Sequence, residues 1–349
     1  MKPFHSQLIA FRGRYDDFGY AQGKRLKRTR LYTHHAQRRK RSRLRYDVDI
    51  HAVKEQMDLY SKGLFDELRG LAEGLQWSLD EVIHEYSGYQ QDWEGSGCSI
   101  LAGNGYLVRN YDYHPKTYEG RLVLFQPNDG YATIGPSQRI IGRTDGMNEH
   151  GLCIGYSFVN RIHPEDGFIC CLLTRMVLET CKTTREAVLL LKKLPHRHSF
   201  NYVVFDAEGT SKIIEGSPRG VIVKEGMACT NHFTKMAKEN RRHLSDSQER
   251  LDDLKSRQAY TLHELEAYHL LNDSYGPIFS HGYKQWSGTI HTACYSPESL
   301  TLHFGLGGDT VPSVLSFRDW LKESATLPDR VYGELDTEET IPYIDDPSF

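Results

Sequence analysis

The chain has 349 residues, of which 39% are hydrophobic and 26% charged, and a net charge of −3. That length suits one large domain or two ordinary ones. The near balance of charge argues against a dedicated nucleic-acid binder, and no run approaches the roughly 18 apolar residues of a membrane helix.

The seven cysteines are an odd number without a CxxC pair. They fit a reducing compartment better than a disulfide framework. MKPFHSQLIAFRGRYDDFGY has no apolar h-region, so the cytoplasm is the expected location. The first elements read as helices. Residues 24–45 hold eleven Lys and Arg and no acid. This reads first as a solvated helix face, then as a site for an acidic partner or coenzyme-type phosphate; sparse aromatics there argue against nucleic acid. Val53, Met57, Tyr60, Leu64, Leu68 and Leu71 step by three and four and predict one helix over 51–75. Ser78 and Glu81 form a capping-box pair that starts another.

From Cys98 the texture changes to strands. CSILA, YLVRNYDY and RLVLFQP are rich in β-branched and aromatic residues and bounded by Gly, Asn and Pro. DGMNEHG is a turn signal between two apolar strands. Residues 167–194 predict two helices parted at 182–184, and a strand meander follows to about 233. Residues 235–272 return to helix. GTIHTACYSPESLTLHFGLG is one hairpin turning at Ser296-Pro297, and the acidic tail after about 322 reads as loosely ordered. Runs of helices and strands in this order suggest layered packing with antiparallel sheets, not βαβ units.

The chemistry concentrates in EGSGCSILAGNGYLVRNYD, residues 94–112. A cysteine attacks as its thiolate, and a free thiol titrates near 8.5. It therefore needs a base or a nearby cation, and donors for the oxyanion. Papain-like enzymes use histidine as the base. A cysteine at the start of a chain has another base, its own α-amine, with a pKa of roughly 7.7–8.0. Making Cys98 terminal requires cutting the Gly97–Cys98 bond, and Gly97, with no Cβ, lets the thiol approach the preceding carbonyl. Strand alternation puts Arg109 and Tyr111 on one face, Asn110 and Asp112 on the other. Both charges then face Cys98 only if the strand bulges or bends. His232 beside Asn231 raises a rival Cys98–His232–Asn231 site, although neighbours on a strand point to opposite faces. Cys153, Cys170, Cys171, Cys181, Cys229 and Cys294 lie in or beside apolar runs and read as core. His34-His35 and His196-x-His198 lack the HExxH or Cys/His set of a metal site, so no metal is expected.

Several phrases in order carry a resemblance. FRGRYDDFGYAQGKRL and FDELRGLAEGLQWSLDEV precede the cysteine and GCS…LVRNYD surrounds it. DGMNEHGL, VVFDAEGTSKIIEGSP, CTNHF and HTACYSPESLTLHFGLG come after it. The chain resembles the acyl-coenzyme A:6-aminopenicillanate acyltransferase family, self-processing cysteine members of the N-terminal nucleophile hydrolases. It is more distantly similar to choloylglycine hydrolases, the bile-salt hydrolases and penicillin V acylases. The resemblance implies an α+β, four-layer αββα fold with two stacked antiparallel sheets. It implies a helical pro-region over 1–97 and a catalytic core over 98–349, cut at Gly97–Cys98 but associated as one globular unit.

Carried over by position, Cys98 is the expected nucleophile and Arg109 lies beside the thiol and lowers its pKa. Asp112 accepts a hydrogen bond from the new α-amine. Asn231 donates its amide N–H to the oxyanion, a backbone N–H near Phe158 is the second donor, and Asn148 holds the supporting turn. The expected substrate is a small acyl amide or acyl thioester, worked through an acyl-enzyme thioester. No cofactor is expected; acyl-CoA is a candidate co-substrate, and membrane and nucleic-acid partners are not expected. A homo-oligomer is left open. An uncleaved Cys-His hydrolase and a non-catalytic binding protein that keeps the fold stand as alternatives. Choloylglycine hydrolases carry a further arginine shortly before the closing hairpin. Here none lies between Arg257 and Arg318, and Lys284 and His291 are the candidate replacements.

Overall fold

The computed structural model describes residues 1–341 apart from 62, 94, 96, 162 and 258. The segment before Cys98 opens on a strand, β1 (Lys2–Gly13), and not on a helix. Phe4, Ser6 and Leu8 alternate inward along it, the period of a half-buried strand. Helices α1 (Tyr15–Leu26), α2 (Arg30–Ser42), α3 (Ile50–Tyr60), α4 (Leu64–Leu75) and α5 (Leu79–Tyr86) follow. The single helix expected over 51–75 is therefore two. Ser61 takes an extended backbone, and a methyl group built on Gly63 would lie 2.0 Å from the ring of Tyr15. The apolar stepping runs across the break because Tyr60 and Leu64 both pack on the core, so periodicity does not reveal it. Ser78 and Glu81 form the expected capping box at α5. Basic side chains of α2 and its C-cap are engaged by acids of α5: Arg38 by Glu85, Arg39 by Glu81 and the C-cap Arg43 by Asp80.

Beyond Gly97 come β2 (Gly97–Ala102), β3 (Leu107–Tyr113), β4 (Arg121–Pro127), β5 (Thr133–Gln138), β6 (Gly142–Arg143), β7 (Asp145–Asn148) and β8 (Cys153–Asn160). The two expected helices are α6 (Cys170–Thr180) and α7 (Thr184–Lys193). The meander is β9 (Ser199–Phe205), β10 (Ser211–Ser217), β11 (Gly220–Lys224) and β12 (Ala228–Cys229). Helices α8 (Ser245–Ser256) and α9 (Glu264–Asn272) lead to β13 (His281–Gly282) and the closing hairpin, β14 (Ser287–Ser296) with β15 (Thr301–Leu306). β16 (Ser313–Ser316), α10 (Phe317–Leu321) and β17 (Arg330–Leu335) complete the described chain. The tail expected to be loose thus contains β17, whose backbone pairs with β1 from Lys2–Leu335 to Gln7–Arg330.

Among the described residues the strands form two sheets. The larger runs β11-β10-β9-β8-β7-β5-β4-β1-β17, with β6 on β5; the smaller runs β12-β2-β3-β14-β15-β16, with β13 on β14. Their pairs are antiparallel except that β1 and β4 run parallel. These two strands are joined through five helices and two strands of the other sheet, a long crossover of the kind parallel pairing requires. Alternation along β2 shows the layering. Cys98 and Ile100 point into the core between the sheets with Tyr111, Tyr156 and Phe158. Leu101 points outward, to a second cluster with Leu254 of α8 and Leu271 of α9. On the far side, α1, α6 and α7 pack on the larger sheet, where Phe18 stacks on Phe125 at 4.3 Å. The architecture is four-layered, αββα, and the start of the chain lies inside the larger sheet.

Candidate active site

β2 and β3 pair with Gly97 opposite Asp112, Cys98 opposite Tyr111 and Ile100 opposite Arg109. Cys98 is fully buried between the sheets. Arg109 Nη2 donates to its Sγ at 3.2 Å. Two further acceptors hold that guanidinium, Tyr156 O at 3.0 Å and Asp145 Oδ2 at 2.5 Å. Asp145 also accepts from Thr144 Oγ1 at 2.9 Å and from the Tyr295 hydroxyl at 2.5 Å, and lies 3.5 Å from His291 Nε2. Burial opposes the charge of Asp145, but Arg109 and these bonds hold its carboxyl well below the usual range. Burial pushes the Cys98 thiol up to about 11, with Arg109 pulling against it. In the intact chain the thiol is therefore protonated at neutral pH. Its hydrogen-bond partner, Arg109, is a donor and cannot serve as a base.

Asp112 stands on the opposite face of β3, towards α8 and α9. Its Oδ1 accepts from Thr289 Oγ1 at 2.8 Å. Its Oδ2 is buried without a hydrogen-bond partner. A methyl group built on Gly97 would lie 3.4 Å from that oxygen and 3.0 Å from Ser287 Cβ, so glycine is what lets the chain pass here. Burial pushes the Asp112 carboxyl up to about 6, with Arg250 and the Thr289 bond pulling it down. The bend expected in β3 is not needed. Arg109 reaches the sulfur from one face, while Asp112 stands beside Gly97 on the other. Opposite faces of the strand serve different atoms of the Gly97–Cys98 unit. The register irregularity nearby belongs to the β14 pairing, between Thr289 and His291.

Asn231 follows β12. Its Oδ1 accepts from Cys98 N at 2.9 Å and from Arg250 Nη2 at 2.9 Å, and its Nδ2 donates to Phe158 O at 2.8 Å. In the intact chain its amide nitrogen thus meets the carbonyl of Phe158. β8 shifts register against β9 between Phe158 and Asn160. Asn148 stands at the β7–β8 turn. Its Oδ1 accepts from His150 N and Leu152 N at 3.0 Å, and its Nδ2 donates to Leu178 O at 2.9 Å and Cys181 O at 2.7 Å. The turn is thereby tied to the end of α6.

Nothing in the sequence marks Arg250. From α8 its Nη1 donates to Cys98 O at 3.0 Å and Ser99 Oγ at 2.7 Å, beside the Nη2 bond to Asn231. It lies before Arg257, outside the interval up to Arg318 that lacks an arginine. In SDSQERLDDLKS it looks like any surface charge; only the placement of α8 over β2 distinguishes it. Of the two candidate replacements, His291 reaches Asp145, and Lys284 makes no bond to these residues among the described contacts. His232 Nδ1 lies 2.8 Å from Ser247 Oγ and 3.3 Å from Thr230 Oγ1, which ties its ring to α8. His35 bonds the Tyr86 hydroxyl and His196 bonds Leu191 O. Among the described residues no group of three or more His, Cys, Asp or Glu is placed to hold a metal.

A family model described as "Acyl-coenzyme A:6-aminopenicillanic acid acyl-transferase" matches residues 98–310, beginning at Cys98. No curated protein matches. Among solved structures, a variant of the conjugated bile acid hydrolase from Clostridium perfringens is 13% identical, with a TM-score of 0.47, over 70% of this chain and 99% of that one. Penicillin V acylase from Agrobacterium tumefaciens is 19% identical, with a TM-score of 0.40, over 62% of this chain and 84% of that one. The N-acylethanolamine-hydrolyzing acid amidase orthologue of Caenorhabditis elegans is 13% identical, with a TM-score of 0.39, over 58% and 93%.

Proposed function

Because the chain belongs to the acyl-coenzyme A:6-aminopenicillanic acid acyl-transferase family, we propose that it is a self-processing cysteine amidohydrolase or acyltransferase. The observation that carries this reading is the division of labour at one bond. Arg109 holds the sulfur of Cys98, Asn231 holds its nitrogen, and the unpartnered Asp112 oxygen stands beside Gly97.

Processing comes first. The Cys98 thiol adds to the Gly97 carbonyl, the C–N bond breaks, and the thiol proton passes to the departing nitrogen. Water then hydrolyses the Gly97 thioester, leaving a carboxylate on the first fragment and a free thiol and α-amine on Cys98. The new amine supplies the base that the buried thiol lacks, and Asp112 Oδ2 gains a donor. In turnover the amine takes the thiol proton, the thiolate attacks the acyl carbonyl, and Arg109 stabilises the thiolate. Asn231, released from Phe158 O, donates to the oxyanion together with a backbone N–H near Phe158. The ammonium returns its proton to the leaving nitrogen or thiolate. Water or an amine then takes the acyl group from the thioester and restores the thiol.

Intact mass and N-terminal sequencing of purified protein test the processing. Fragments of 97 and 252 residues with a new terminus CSILAGNG are expected, and a single chain for Cys98→Ala. A panel of acyl amides and acyl thioesters on processed protein tests the turnover. An intact wild-type chain that is active, and loses activity on His232→Ala, overturns the reading.

A further inference from the structure

A cleft of about 410 Å³ opens over Gly97. Its lining bears on the substrate class, an assignment that rests on Cys98 being the nucleophile proposed above. In that reaction the leaving nitrogen takes its proton from the Cys98 α-amine. The leaving group therefore comes beside that nitrogen, and Gly97, bonded to it in the intact chain, lines the cleft that opens there.

The cleft has Gly97 and Asp112 in its lining, and one wall is a single face of α8. Asp246, Glu249, Arg250 and Asp253 reach it at helical spacing. Pro277 and Phe279 form an apolar part of the lining. Four of these five charged side chains are acids. The cation among them, Arg250, gives its fork to Cys98 O, Ser99 Oγ and Asn231 Oδ1, with Asp246 at 3.2 Å. Asp253 pairs with Arg257, whose side chain is half-exposed, and Arg241 stands near Asp246 and Arg250. Asp253 itself is 21% exposed, and both its oxygens accept from Arg257 Nε, at 2.9 and 2.8 Å. Asp112 comes from β3 and not from α8, although Arg250 and Asp246 of that wall act on its charge. It lines the cleft and is 1% exposed, and in the intact chain its Oδ2 has no hydrogen-bond partner.

We propose that the cleft receives the amine half of the substrate and that this half is a cation. The amide cleaved is one whose amine carries a second, positively charged nitrogen. That nitrogen meets Glu249 and Asp253, while the carbon chain between the two nitrogens lies against Phe279 and Pro277. A carboxylate or phosphate in the same place meets like charge. The field therefore also disfavours coenzyme A, with its phosphates, as the leaving group on this side.

Two measurements on processed protein test this. The first uses methanethiosulfonates of positive, neutral and negative charge on Cys98, read by the mass of the proteolytic peptide that begins at Cys98 and normalised to a small free thiol. The cationic reagent should react about tenfold or more faster than the anionic one. That ratio should fall with salt and in the Glu249→Gln/Asp253→Asn double variant. The second compares one acyl group on 1,4-diaminobutane, butylamine and 4-aminobutyrate, by kcat/KM. The diamine amide should lead, and the double variant should bring its advantage over the butylamide towards one. Equal or anion-favouring rates, or a ratio the double variant leaves unchanged, overturn the cationic substrate while leaving the nucleophile in place. Failure of the chain to process, or of every reagent to label Cys98, instead overturns the reading of Cys98 and this inference with it.

Discussion

Asp112→Asn, made in the uncleavable Cys98→Ala background, is expected to change stability in a pH-dependent way. An unfolded aspartate titrates near 3.8, and burial raises Asp112 to about 6. The folded state thus disfavours the charge. The penalty is absent below the unfolded value, grows as pH rises, and is complete above the folded one. Its full size is about 3 kcal/mol, of which about 2.5 kcal/mol develops between pH 4 and pH 8. Asparagine keeps the acceptor for Thr289 Oγ1. Its new amide N–H costs about 1–3 kcal/mol if unpaired, but that cost is the same at every pH. Urea unfolding at pH 4 and pH 8 isolates the titration: relative to its parent, the variant should gain about 2.5 kcal/mol from the lower to the higher pH. A constant difference, or a relative loss on raising the pH, would refute the argument. The relative loss would mean that Asp112 is an ordinary ion-paired carboxylate, satisfied by Arg250. In the processed wild-type chain the sign should reverse, because the α-ammonium of Cys98 then pairs with the carboxylate.

Arg109→Met should destabilise the uncleaved chain by about 3–5 kcal/mol, because it strands the buried Asp145 carboxylate. Adding Asp145→Asn should recover a good part of this, and a double-mutant cycle by urea unfolding checks the coupling. Arg250→Lys keeps the charge but loses the fork that spans Cys98 O, Ser99 Oγ and Asn231 Oδ1. Processing, followed by intact mass over time, should slow by about tenfold or more, equivalent to at least about 1.4 kcal/mol on the barrier. Gly97→Ala should slow processing too, since its methyl group would lie 3.0 Å from Ser287 Cβ. Adding Ser287→Gly should restore part of the rate in the same assay. Deleting residues 330–341 removes the partner of β1 and exposes an edge of the larger sheet. A lower thermal midpoint and aggregation on heating are the expected signs.

Local signals were legible where local physics sufficed. The capping box at Ser78, the break between α6 and α7, and the closing hairpin each depend on a few neighbouring residues. The two strands at the ends of the described chain were harder to read. β1 and β17 become strands by pairing with each other and, for β1, with β4. The pairing partners lie more than a hundred residues away, and no local window contains them. The break between α3 and α4 is hidden for the opposite reason. The apolar stepping of Tyr60 and Leu64 continues across it because both side chains pack on the same core.

At the site, the sequence by itself determined the chemistry on offer: a cysteine after a glycine, with Arg109 and Asp112 on the return strand, while Asn231, far downstream, was implied by the family resemblance. Residue type and order are enough for that. Only the tertiary structure decided which atom each group addresses. Strand pairing sets Arg109 against the sulfur and Asp112 beside Gly97, on opposite faces. The docking of α8 over β2 brings in Arg250, a residue with no local signal. Burial then decides the charges, raising the thiol and the Asp112 carboxyl while Arg109 keeps Asp145 ionised. Desolvation and long-range contact are properties of the folded chain, and no stretch of sequence carries them alone.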